Sequence, residues 1–218
     1  MFKKIATLAI AGLLASATAY ADTLVGSQTY TLTNGGSVAS TPGNYGTITL
    51  TEYLNSSTLK DYVTVNLTLV GTEYFASTGA GSALAFNLDS SVGTISITNI
   101  TSGFANGGAD TASPFGSFLE SVDCTTGCGN GGSPPHDAGP LNFTVSSTNG
   151  VNLNDFIANS GGFTFASDLF INGATGNVAA GDPNNPPPPP ATPEPSSLLM
   201  LGTGIIGAAG MLRRRFVA

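Results

Sequence analysis

Apolar and polar residues alternate along much of the chain between residues 22 and 180. The clearest stretch is YVTVNLTLV, where Val63, Val65, Leu67 and Leu69 point one way and Thr64, Asn66 and Thr68 the other. A period of two marks a half-buried strand. The same alternation recurs at Ile48 and Leu50, at Leu84, Phe86 and Leu88, and at Ile95 and Ile97. It returns at Leu141, Phe143 and Val145, and at Phe163 and Phe165. Gly, Asn, Ser and Pro separate these runs, and no long stretch shows the 3.6-residue period of an amphipathic helix. A single helical turn is expected within LNDFIANSG, from Leu153 to Gly161. The pattern predicts an all-β fold of roughly eight to ten short strands, an antiparallel β-sandwich with jelly-roll-like connections.

The pattern breaks at both ends. Residues 1–21 place Lys3 and Lys4 before an apolar run from Ile5 to Leu14, followed by small residues and Ala19-Tyr20-Ala21. This layout predicts a secretory signal peptide with Ala19 and Ala21 at the cleavage site and Asp22 as the mature start. The apolar run is shorter than the roughly 20 residues that span a bilayer, which disfavours an uncleaved anchor. Export by the Sec machinery places Cys124 and Cys128 in an oxidising compartment, where a disulfide is expected.

At the other end, residues 181–192 form a Pro-rich linker, and eight of the thirteen prolines fall between Pro183 and Pro195. The five consecutive prolines favour polyproline II, so the segment reads as a semi-rigid stalk. Residues 196–212 carry no charge. As a helix at ~1.5 Å per residue they reach about 26 Å, just enough for a transmembrane segment. Arg213, Arg214 and Arg215 follow, and basic flanks stay on the cytoplasmic side. The body is therefore expected outside the inner membrane.

Pro193-Glu194-Pro195, the apolar segment and Arg213-Arg214-Arg215 together resemble the PEP-CTERM sorting signal of Gram-negative bacteria, here residues 193–218. The resemblance implies recognition by an exosortase, a membrane-embedded cysteine-protease-like enzyme that removes the helix near Pro-Glu-Pro. It also implies a destination in the cell envelope or the extracellular, exopolysaccharide-containing matrix. FASTGAGSALAFNL and the stretch from Cys128 to Leu169 are similar to an ectodomain type that precedes such tails, which implies a non-catalytic exported domain.

Charge and composition narrow the function of the body, residues 22–180. From Asp22 to Asp182 there are twelve carboxylates and one basic residue, Lys60. Such a body repels nucleic acid and anionic lipid. With twelve Phe and no Trp, the core is expected to rest on Phe, Leu, Ile and Val, and the Trp platforms common in sugar-binding sandwiches are missing. Tyr45, Tyr53, Tyr62 and Tyr74 remain available for glycan contact.

Catalytic and metal chemistry find little to build on. Cys124, Cys128, His136 and Asp137 form a conceivable metal set, but their spacing matches no common zinc framework. His136 is the sole histidine and hence the sole imidazole base for a Ser-based triad. Glu52, Glu73 and Glu120 are the candidate carboxylates for glycoside hydrolysis. The Asp-containing loops lack the ladder of an EF-hand. The expectation is an exported structural or interaction protein with no cofactor and no enzymatic activity, whose partners are exosortase, the inner membrane in transit, and exopolysaccharide or other matrix proteins. A glycan-binding module or glycan-active enzyme on the same sandwich is the alternative.

Overall fold

The computed structural model describes residues 21–36, 38, 43–78, 81–128 and 137–181. The chain divides into two units, Met1–Pro187 and Pro188–Ala218, and every described residue belongs to the first. Ala19, His136, the Pro-rich linker beyond Gly181, the sorting segment and the expected helix at 196–212 lie outside the described residues. Among the described residues no helix is long and apolar enough to cross a membrane.

The fold is all-β and antiparallel. In chain order the strands are β1 (Thr23–Leu32), β2 (Gly46–Leu54), β3 (Asp61–Leu69), β4 (Tyr74–Phe75), β5 (Leu84–Phe86), β6 (Ile95–Thr98) and β7 (Phe104–Asn106). They continue as β8 (Asp110–Ala112), β9 (Gly116–Phe118), β10 (Glu120–Cys124), β11 (Leu141–Ser147), β12 (Phe163–Ile171) and β13 (Ala174–Gly181). One sheet has the order β1-β2-β3-β11-β6, the second β13-β12-β5-β10-β7 with β4 also paired to β12. The β8-β9 hairpin stands apart from both.

The path is partly a meander, since β1, β2 and β3 are successive neighbours and β12 pairs with β13. Between these hairpins the chain switches sheets, from β5 to β6 to β7 and from β10 to β11 to β12. Those crossings are the portion that resembles jelly-roll connections. The expected single helical turn is a 3-10 turn at Leu153–Asp155, closed by a capping box between Asn152 and Asp155. Gly181, predicted to open the linker, instead ends β13 opposite Phe163, where a register shift lets the ladder run one residue further.

The alternation seen in the sequence becomes the core. Val63, Val65 and Leu67 of β3, Ile48 and Leu50 of β2, and Phe143 and Val145 of β11 face inward and are buried. They meet Leu84, Phe86, Val122, Phe165 and Leu169 from the second sheet in one continuous cluster. Rings bridge the sheets: Tyr30 packs edge-on to Phe165 at 4.8 Å between centroids, and Phe86 lies 5.8 Å from Phe143. Burial of this apolar surface is the main stabilising term, at about 25 cal/mol per Å².

β12 departs from simple alternation, being buried on both faces from Thr164 to Leu169. The register explains why. Ala85, Ala166 and Ala179 stand side by side across β5, β12 and β13, forming a row of small side chains. Phe115 and Phe118, from and beside the β8-β9 hairpin, pack on that row as a second apolar cluster. A strand covered on both sides reads as a continuous apolar run.

Candidate functional site

The disulfide predicted from export is present: Cys124 at the end of β10 bonds to Cys128, with Cα atoms 6.0 Å apart. The backbone N–H groups of Thr125 and Thr126 donate to the Gly103 carbonyl at 2.8 and 3.1 Å, so the bridge closes a turn already held against β7. A loop this short gains about 2 kcal/mol at most from the chain-entropy effect. With both sulfurs in the bridge, the alternative metal set has lost its thiolates. Asp137, the remaining described member of that set, makes a backbone bridge with Phe75 and accepts a hydrogen bond from the Gly139 N–H at 2.8 Å.

The three candidate glutamates occupy separate places. Glu52 is buried in β2 and accepts from the Leu153 N–H at 3.0 Å, anchoring the 3-10 turn. Glu120 lies on β10, and partial burial raises its carboxyl above the usual range. Glu73 sits in the connection between β3 and β4. None of the three lines either of the two surface depressions described next.

The smaller depression, about 390 Å³, lies over the second sheet and includes Ser82, Asp110, Ser121, Asp123 and Thr125. Beneath it Asp168 of β12 is 1% exposed. Its Oδ2 accepts from the Thr78 N–H at 2.9 Å and the Thr78 hydroxyl at 2.6 Å, while Oδ1 has no partner among the described residues. Gly81 covers the carboxylate so closely that a Cβ there would lie 2.4 Å from Oδ2. Burial holds the Asp168 carboxyl above the usual carboxylate range, the Thr78 hydrogen bonds oppose this, and the charge of Asp110 adds to it.

That raised value has a stability consequence. The folded chain binds the Asp168 proton more tightly than the unfolded chain, so this group's contribution falls as pH rises from the ordinary carboxylate pKa through the raised folded one. Asp168→Asn keeps an acceptor for Thr78 and removes the ionisation. Urea unfolding at pH 4 and pH 7 is expected to show wild type losing more stability than the variant on going to pH 7, with the variant then equal or better by on the order of 1 kcal/mol. Equal changes in both proteins would show that the carboxyl does not titrate there. The signal in the sequence was a lone Asp inside the apolar run FASDLFI.

The larger depression, 670 Å³, opens on the outward face of the first sheet. It is lined by Tyr62 and Thr64 of β3, Thr144 and Ser146 of β11, and by Asn99 and Lys60 among others. Asp22 fixes its rim: the carboxylate accepts from the Ser56 N–H at 2.8 Å and the Tyr62 hydroxyl at 2.9 Å. Those bonds hold its pKa below the usual value. Asn55 shapes the β2-β3 turn, its Oδ1 accepting from the Ser57 and Thr58 N–H groups at 3.0 and 2.8 Å. The Lys60 ammonium donates to the Thr148 carbonyl. Tyr53 and Tyr62 stack side by side, 5.5 Å between centroids and 19° between planes.

The remaining functional element is the C-terminal segment. Residues 191–215 match the family described as the PEP-CTERM protein-sorting motif. The chain carries a PEP-CTERM sorting signal. The matched span contains Pro193, Glu194 and Pro195 together with Arg213, Arg214 and Arg215, the residues singled out in the sequence. A PEP-CTERM signal marks its bearer for export and for sorting by an exosortase to the envelope or the exterior. No curated protein and no solved structure matches the chain.

Proposed function

We propose that this PEP-CTERM protein is a non-catalytic structural or interaction component of the extracellular, exopolysaccharide-containing matrix of a Gram-negative bacterium. On this reading the Sec machinery exports the chain and residues 1–21 are removed after Ala21. Residues 196–212 hold it in the inner membrane with Arg213, Arg214 and Arg215 inside. Exosortase acts near Pro193-Glu194-Pro195, and the β-sandwich leaves on its Pro-rich stalk. The sorting motif at residues 191–215 carries the proposal. The separate structural settings of Glu52, Glu73 and Glu120 support the non-catalytic part.

Fractionation tests it. An epitope inserted at the β12-β13 turn, where Asn172 and Gly173 are exposed, leaves the described strands intact. The tagged full chain is expected in the matrix fraction and in the medium once the polysaccharide is enzymatically degraded. A tagged chain that stays in the cytoplasm, or is free in the medium with the matrix intact, overturns the reading.

A further inference from the structure

The outward face of the first sheet has a composition that ordinary solubility does not require. Its register aligns Thr31, Thr47 and Thr68 in one cross-strand row and Thr29, Thr49, Asn66 and Asn142 in the next. Ser27, Thr51, Thr64, Thr144 and Thr98 form a third row across all five strands. Leu24, Tyr53 and Tyr62 form a fourth, apolar and aromatic, and Leu24 is 61% exposed. No row contains a charge, although the body carries eleven carboxylates. Soluble surfaces ordinarily intersperse charges of both signs.

We infer that this face, from the Leu24-Tyr53-Tyr62 row across the threonine rows, is a binding surface for an uncharged polysaccharide chain. The inference deepens the matrix reading and rests on it for the source of the ligand. Each hydroxyl both donates and accepts, and the Asn amides supply two donors and an acceptor, which suits the hydroxyls of a sugar polymer. Thr29, Thr47 and Thr49 spend no side-chain hydrogen bond within the described residues, so their hydroxyls are open to a ligand. β-branching leaves Thr few rotamers, which reduces the entropy lost on binding. The grid repeats about every 4.8 Å between strands and about 6.7 Å along them, a periodic array for a periodic ligand.

Tyr53 and Tyr62 offer apolar ring surface with a polar tip, the amphipathic character that accepts the C–H face of a sugar. Charge selects among polymers. The acidic body repels a polyanion, and the threonine rows, which hold no charge, ask no desolvation of ions when a neutral chain covers them; Asp22 and Lys60 stand beside them in the depression at Tyr62. A protein partner is disfavoured because the centre of the face is polar, whereas stable protein interfaces concentrate apolar and aromatic residues at theirs.

Affinity electrophoresis of the mature protein, isolated from the matrix, tests the assignment in native gels containing mixed-linkage β-glucan, hydroxyethyl cellulose, galactomannan or alginate. Retardation is expected in at least one neutral glycan and absent in alginate. Tyr53→Ala with Tyr62→Ala, and separately Thr64→Val with Thr144→Val, are expected to weaken it by roughly tenfold or more. Thr175→Val on β13 serves as control for the second sheet. The Val pair preserves side-chain shape and strand propensity, so its loss of binding is separable from misfolding, which circular dichroism checks. Silence in all three neutral glycans, retardation by alginate alone, or equal retardation of every variant overturns the assignment. So does a sedimentation result in which the face variants abolish self-association instead, which would give the face to a second copy. A matrix-localised protein that is silent in the gels leaves the sorting reading intact and removes only this one.

Discussion

Replacing Pro193, Glu194 and Pro195 together by alanine is expected to leave the chain full-length and cell-bound. The three residues lie inside the matched sorting motif, between a stretch rich in proline and the uncharged segment 196–212. On the proposed route that segment is a marginal span, and Arg213, Arg214 and Arg215 stop its passage. Nothing in the substitution shortens the apolar run or alters the basic tail, so membrane delivery is unchanged while recognition by the processing enzyme is lost. Intact mass of the wild-type protein from the matrix should lack Arg213, Arg214 and Arg215, whereas the variant should retain them and fractionate with membranes. The processed form should fall from the major species to a trace. A variant trimmed and exported like wild type would show that Pro-Glu-Pro is only the end of the stalk.

The elements with one buried face were legible in the sequence because burial and period two are the same fact. β3 is the best example, with Val63, Val65 and Leu67 buried as its alternation predicts. β2, β6 and β11 follow from the same reasoning, while β5 and β12 were found from their Leu and Phe alternation although both are buried on two faces. The β8-β9 hairpin was not legible: its three-residue strands sit in NGGADTASPFGSF, where Gly, Ser and Pro read as loop. Nor was β13, where Ala179 joins Ala85 and Ala166 in the row of small residues under Phe115 and Phe118 while Val178 and Ala180 face the main core. Local pattern carries no information about which distant strands pair, so the β3-β11 neighbourship, with its long sequence separation, had to come from the structure.

The candidate surfaces divide in the same way. The threonines of β2 and β3 were visible as the polar half of an alternation, but only the register shows that they align with Thr29, Thr98 and Thr144 into uncharged rows. Export predicted the disulfide correctly, since it depends on compartment more than on fold. The glutamates qualify as candidates by their chemistry alone. Their separation onto β2, β10 and the β3-β4 connection is a matter of long-range packing that spacing does not encode.

Phe86→Ala is expected to be the most damaging single substitution in the core. The ring is fully buried on β5, the short strand between β12 and β10, and three aromatic neighbours surround it. Phe156 lies at 5.7 Å, Phe143 at 5.8 Å and Phe165 at 6.4 Å between centroids. Phe143 belongs to the opposite sheet, so the ring joins the two layers. Truncation forfeits the transfer energy of the ring and leaves a cavity whose walls are other rings held on strands, which collapse poorly. The expected loss is about 3–5 kcal/mol. A domain of this size has roughly 5–15 kcal/mol in total, so the loss is a large fraction of its stability. Phe86→Leu, which refills most of the space, should lose less, and Phe163→Ala, at a half-buried position on the second cluster, less than Phe86→Ala. With no Trp in the chain, urea unfolding is followed by tyrosine fluorescence and circular dichroism. A Phe86→Ala loss below about 1.5 kcal/mol, or one no larger than that of Phe163→Ala, would mean that the two sheets are not held together through this cluster of rings.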